Sequence, residues 1–510
     1  MRLLLVLIAT FFVLSPVKAI AGWSVVTSDH FEVYSEGNVK DQKAFTVKLE
    51  KFDAMLRALT GLADDGENTR MKVFLVRNRD HVRRFFGTKS KFVAGFYTTN
   101  ARSAVAVVPR SVRDRGKYAL SSDAILFHEY THHFFMQYYT ATYPAWYREG
   151  AADFFSTAEF KKGNEVSLGL PAFSRIPSIK IEGIYDVSKL LTQESRGLNG
   201  RDSNKFYATA WLLTHFLISE SSRAGELGAY LNALNRGKSN DEAIAKFSGG
   251  MKGLAKDLKA YGNRRRLNYK KFFLKNLPKQ FAMEVKPLRE ARSEAFEFEL
   301  ALLANISKDN ATVQLPKLKK LALKRDESAH INWLLGEYSK RAGDQVAANQ
   351  YFDTAITLDP KHSTALASKA QMLLAQSKKM EGAEKIAVDK KAMQLVSRAN
   401  RSDTEDPVPL FLFHVYSDVD EKKAENMAFL AIEKAHALLP QNAQYRLALV
   451  SAYANKREFM KASILLKPLA FSAHQTESSI KLREFYDSLL MMDKKDSEVV
   501  EEDIEGSDEN

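Results

Sequence analysis

The 510-residue sequence predicts an α+β region, a small α/β module joined to a helical lobe, followed by an all-α repeat solenoid. Three observations carry this reading. Strand-like and helix-like segments alternate over residues 23–110, long amphipathic segments follow over 120–261, and a helical period of about 34 residues appears beyond Pro278 and Pro287. The length exceeds one ordinary domain, and 45% apolar with 27% charged residues excludes both a disordered chain and a multi-span membrane protein.

The elements follow from their patterns. Residues 30–34, 71–76, 95–98 and 103–108 alternate or are β-rich as strands, the last two forming a hairpin, while 40–62 and 80–86 read as helices. In the lobe, helices are expected over 124–139, 145–158, 205–219 and 241–258. Residues 163–203 lack periodicity, and a loop of that length in a compact domain is usually functional or mobile. The prolines place a domain boundary near 278–292, so the expected division is a region 22–277 (22–115 module, 116–277 lobe) and repeats over 293–490.

At the start, Met1-Arg2 precedes an apolar run over residues 3–14 and the small-residue sequence Ala19-Ile20-Ala21. This reads as a secretory signal peptide, residues 1–21, cleaved after Ala21 into the periplasm or the medium; the run falls short of the roughly twenty residues that span a bilayer. With no cysteine, the chain has neither disulfides nor a thiolate metal site, so any metal must sit on His and carboxylate. The net charge of +13 is spread along the chain, with a cluster from Lys252 to Lys279. That cluster reads mainly as a solvated helix face, secondarily as a weak contact for anionic membrane surfaces or acidic polymer, and no nucleic-acid motif accompanies it. The acidic tail, 494–510, is expected to be disordered.

In the repeat region, a unit closing at Pro360 places Leu335, Gly336, Ala348, Phe352 and Ala355 on signature positions. A second closes at Pro440 with Ala428 and Ala435, and a third carries Leu449, Tyr453 and Ala462. Small residues let paired helices approach while Phe352 and Tyr453 fill the gap, and the region resembles a tetratricopeptide array that recruits a protein partner or substrate. The span 361–406 reads as degenerate, with an insertion.

The chemistry concentrates in His128-Glu129-Tyr130-Thr131-His132. On a helix, residues four apart stand one above the other, so His128 and His132 can share one ion, while Glu129 lies about 100° round and stays free to take a proton from water. The extended form of this motif puts a third histidine where this chain has Tyr138 and a glycine where it has Phe135. The remaining solution is a glutamate on the next helix, which Pro144 starts and which supplies Glu149. Gly150 is expected to let the two ligand helices approach, and Asp153, one turn on, to bond the outer nitrogen of a ligating imidazole. His133 points elsewhere and is expected to be packed or hydrogen-bonded.

On these residues the chain resembles a gluzincin of the peptidase MA-like group, where His-Glu-x-x-His precedes a Trp-x-x-Glu-Gly-x-Ala helix, here Trp146, Glu149, Gly150 and Ala152. The resemblance covers 23–261 and includes Phe206-Tyr207-Ala208-Thr209-Ala210-Trp211. It implies a zincin-like catalytic domain, a catalytic Zn²⁺ on His128, His132 and Glu149, and Glu129 as general base. No Gly-x-Met-Glu-Asn motif is present, which argues against an aminopeptidase. Related enzymes often take an oxyanion donor from a later helix, and Tyr207 is the expected donor, with His215 and Tyr143 behind it. The expected function is an exported zinc endopeptidase acting on a protein or peptide. Two alternatives stand beside it: a catalytically inactive metalloprotease-like scaffold working through its repeats, and hydrolysis of a cell-wall amide.

Overall fold

The computed structural model describes residues 22–505 apart from 65–69, 87–93, 111–120, 140, 142, 193–197, 276, 326, 418–421 and 472–476. The expected leader, residues 1–21, lies outside them. The strands are β1 (Ser24–Thr27), β2 (Phe31–Ser35), β3 (Met71–Val76), β4 (Phe96–Thr99), β5 (Ala104–Pro109), β6 (Glu159–Phe160), β7 (Glu165–Leu168), β8 (Lys270–Phe273) and β9 (Glu284–Pro287). The helices of the N-terminal half include α1 (Val39–Thr60), α2 (Arg79–Phe86), α3 (Ser122–Tyr138), α4 (Ala145–Phe155), α5 (Val187–Thr192) and α6 (Gly200–Ser219).

A six-stranded sheet in the order β4-β5-β3-β2-β1-β9 organises this half. The β2–β3 and β3–β5 pairs are parallel, as crossovers through α1 and α2 require, and the outer pairs are antiparallel. Strand alternation sends Phe31, Val33, Val73 and Leu75 to one face, where Leu49, Phe52 and Met55 of α1 and Leu126, Phe127 and Tyr130 of α3 cover them. On the other face, Tyr34, Phe74, Val105 and Val107 pack with Trp23, Val82 of α2, and Phe296 and Leu300 from helix Glu290–Leu303. A break after residue 277 would therefore leave β9 and this helix outside the region whose sheet they complete.

The lobe departs from its expected pattern in two places. Residues 241–258 form two helices, Asn240–Ile244 and Gly250–Gly262, because Gly249 and Gly250 take φ of 73° and 57°, which interrupts the right-handed helix. The aperiodic stretch 163–203 holds β7, a π turn (Ser178–Glu182) and α5, elements too short to show a period. Gly150 also plays a different part from the expected one. A Cβ there would lie 2.2 Å from Thr214 Oγ1 and 2.3 Å from the Ala210 carbonyl oxygen, so the glycine seats α4 against α6.

The C-terminal half is an all-α array. Helices Ala329–Ala342 and Gln345–Leu358 pair first, then Ser363–Ser377 with Gly382–Ser402, Pro407–Tyr416 with Lys422–Leu438, and Ala443–Asn455 with Phe459–Ala470. Gly336 faces the Phe352 ring, which a Cβ would meet at 2.3 Å, the small-against-large contact its spacing suggested. The span 361–406 is a complete pair whose second helix is lengthened to 21 residues, and Leu366, Ala370, Leu395 and Val396 make its core. Helix Glu477–Glu505 runs into the acidic tail expected to be disordered. Once nucleated, a helix gains one hydrogen bond per residue fixed, and glutamate is a good helix former.

The array also packs on the N-terminal half. Ile432, Ala435, Leu439 and Tyr445 belong to the same core as α3. Its turns grip the β4–β5 hairpin: Asp406 pairs with Arg102, Tyr445 Oη donates to the Ala101 carbonyl, and Asn442 Nδ2 donates to the Asn100 carbonyl at 3.3 Å.

Two outcomes are expected from this packing. A chain ending at residue 277 should lose cooperative unfolding and expose Trp23, Tyr34 and Phe74, read by near-ultraviolet circular dichroism and dye binding; a full-strength native spectrum would show that the half folds alone. Gly150→Ala should cost about 1–3 kcal/mol in urea unfolding, the usual range for overpacking. A cost below about 0.5 kcal/mol would mean that α4 and α6 relax around the methyl.

Candidate metal centre

Ser121 caps α3, its side chain accepting from the Ala124 amide at 3.0 Å, and sets the register in which His128 and His132 share a face. Their rings meet edge to face, with the two Nε2 atoms 3.2 Å apart. Helix α4 lies against α3 and brings Glu149 Oε2 to 3.6 Å from each Nε2. Ligands held tetrahedrally at about 2.0–2.1 Å stand about 3.3–3.4 Å from one another, so this triangle fits one zinc-sized ion. It is the group of three His and carboxylate residues with metal-holding spacing among the described residues. The side chains of His128, His132 and Glu149 keep 18, 21 and 18% exposure, which leaves the triangle reachable from solvent.

The surrounding charges favour a cation. Burial opposes ionisation of Glu149, but the two imidazoles outweigh it and hold the carboxyl well below its usual range. Burial likewise works against a charged His128, yet hydrogen bonds to Asp153 and Glu149 push it up to about 10. Glu129 moves the other way. Burial raises its carboxyl and Glu149 adds to this, against the two histidines and the Tyr97 backbone of β4, which lower it. Three carboxylates thus converge on two imidazoles.

Asp153 meets two partners. Its Oδ1 lies 3.0 Å from His128 Nδ1, so the outer nitrogen is engaged and Nε2 faces the triangle. Its Oδ2 accepts from Arg175 Nε at 2.7 Å, and Arg175 Nη2 reaches Oδ1 at 3.1 Å. Sequence reasoning missed Arg175, which lies in the aperiodic stretch; an arginine in a loop carries no signal of the carboxylate it will meet. Tyr207, half-buried on α6, has its ring 5.3 Å from the Arg175 guanidinium, which puts it beside this network. His215 is a core histidine, with Nδ1 2.8 Å from Tyr261 Oη and Nε2 2.7 Å from the Gly169 carbonyl. Tyr143 packs with Phe135 and Tyr147.

His133 faces away from the triangle. Its Nδ1 lies 3.2 Å from Tyr97 Oη and 3.3 Å from Gln441 Nε2, and burial pushes the ring down to about 3, keeping it neutral. Gln441 also donates to Gln137, so a turn of the helical array touches the helix that carries the motif.

No protein-family model matches the chain, and no curated protein matches it. Among solved structures it is similar to a thermophilic tetratricopeptide-repeat protein from Thermus thermophilus, at 14% identity over 39% of this chain and 93% of that one, with a TM-score of 0.28. It is also similar to yeast Tom70, at 12% identity over 72% of this chain and 69% of that one, with a TM-score of 0.26.

Proposed function

We propose that this chain is a zinc-dependent hydrolase of gluzincin type, most simply an endopeptidase acting on a protein or peptide. The observation that carries the reading is the triangle of His128, His132 and Glu149 with Glu129 beside it. Bound zinc would supply Lewis acidity, polarising a scissile carbonyl and making water a nucleophile near neutral pH. Glu129, its carboxyl raised by burial, takes the proton from water and returns it to the leaving amine. Asp153 holds the His128 tautomer, and Arg175 holds Asp153. Tyr207 is the proposed donor to the oxyanion, standing next to Arg175. Export to the periplasm or the medium is part of the proposal and rests on the leader alone.

A second reading is a scaffold that works through its helical array without catalysis. The array itself favours it, since stacked helix pairs commonly present extended surfaces to protein partners. Retention of Glu129 weighs against it, because a base is needed for hydrolysis and not for folding.

Metal analysis and activity separate the two. The protein should carry about one zinc per chain, most of it lost in His128→Ala, His132→Ala and Glu149→Ala, because three ligands leave no spare. Glu129→Gln should keep zinc yet lose chelator-sensitive casein cleavage by several orders of magnitude. Full zinc in all three ligand variants would move the site elsewhere; wild-type protein that binds zinc and never cleaves would leave the scaffold. Asp153→Ala should weaken zinc affinity roughly ten- to a hundred-fold, measured by competition with a chelating dye. An unchanged dissociation constant would make Asp153 a structural residue only.

A further inference from the structure

The basic cluster is not a helix face throughout. Helix Gly250–Gly262 ends inside it, and after a turn at Asn263 and Arg264 the chain continues without helix into β8, an outer strand of the three-stranded sheet β6-β7-β8. Residues 258–283 contain no Asp or Glu, while 264–279 carry Arg264, Arg265, Arg266, Lys270, Lys271, Lys275 and Lys279. Strand alternation divides the side chains of β8 and its flanks between two faces. Phe272 packs against the core and Leu274 is buried, whereas Tyr269, Lys271 and Phe273 stand on the outward side, and Lys271 Nζ lies 6.0 Å from the centre of the Tyr269 ring.

The outward side is unusually apolar for so charged a segment. Phe273 is 64% exposed and Tyr269 45%. Ile181, 83% exposed on the π turn, is held near the start of the segment because Lys180 Nζ donates to the Gly262 carbonyl at 2.9 Å. Two neighbouring acids are engaged by the cluster itself: Glu220 pairs with Arg264 at 2.7 Å and Glu165 with Lys271 at 3.6 Å. Arg265, Arg266, Lys270, Lys275 and Lys279 remain as exposed positive charge.

We propose that this surface docks on an anionic lipid bilayer, with Phe273, Tyr269 and Ile181 entering the headgroup region and the lysines and arginines meeting lipid phosphates. A soluble anionic polymer would be met by the charges alone and gives no use to a bulky ring held outward. A bilayer uses both, and stable peripheral binding takes two such signals because neither an inserted side chain nor a few charges suffices alone. No helix among the described residues is long and apolar enough to cross a membrane, so binding of this kind lies on the surface.

The test is co-sedimentation of the full chain with vesicles of phosphatidylcholine alone or with about one-third phosphatidylglycerol, at low and high salt. Binding should appear only with the anionic lipid, weaken with salt, and fall at least about tenfold in Arg265→Glu/Lys271→Glu/Lys275→Glu. Lys317→Glu/Lys319→Glu/Lys320→Glu, an equal charge change on helix Lys308–Ala322, should keep most of it. Phe273→Ser should lower vesicle binding several-fold while leaving binding to heparin unchanged. Equal loss in both triple variants would reduce the effect to net charge and overturn the assignment. So would indifference to Phe273→Ser, which would point to an anionic polymer. None of these outcomes depends on zinc or on hydrolysis.

Discussion

The Asp153 carboxylate, shared between His128 and Arg175, is the contact on which the site's order depends. Its Oδ1 engages the outer nitrogen of His128, which settles which nitrogen faces Glu149 and His132. Its other oxygen is taken by an arginine from the segment between β7 and the π turn. One buried carboxylate therefore ties α4 to α3 and to a loop that has no regular structure of its own. Removing Asp153 would take the carboxylate from both His128 and Arg175 at once, whereas removing either of those leaves Asp153 paired with the other.

Around that contact the packing is layered. Gly150 lets α4 sit against α6, which turns the face carrying Glu149 and Asp153 toward α3. The helix α3 is in turn pressed on the sheet through Leu126, Phe127 and Tyr130, and Tyr130 Oη donates to buried Asp53 of α1 at 2.6 Å. Strand β4 closes the arrangement, with the Tyr97 hydroxyl 3.2 Å from His133 Nδ1. The helical array then holds the hairpin that carries β4 and touches His133 through Gln441. The motif is thus braced from four directions, each by different chemistry.

Short elements escaped the sequence for a common reason. Strands β1 and β9, at four residues each, and the two-residue β6 offer too few positions for alternation to stand out. The glycine pair at 249 and 250 divides a continuous amphipathic pattern, since periodicity reports which face is apolar and not whether the backbone stays helical. The role expected of Gly150 was right in kind and wrong in partner, because a glycine signals close approach without naming the helix that approaches.

What the sequence determined by itself is the placement of residues within one helix turn or one repeat. His128, Glu129 and His132 are placed by the 3.6-residue period, Glu149 and Asp153 by their spacing on the next helix, and Gly336 with Phe352 by the repeat, because each is a relation among neighbours on a regular element. Tertiary structure alone decided the 3.6 Å approach of Glu149 to the two imidazoles, the meeting of Arg175 with Asp153, the sharing of one core by α3 and the array, and the outward placement of Phe273. Most of those are contacts between residues on different elements, from 17 positions apart for Glu149 and His132 to 308 for Gln441 and His133. No local period constrains such pairings, and only the summed burial of apolar surface and satisfaction of buried charge selects them.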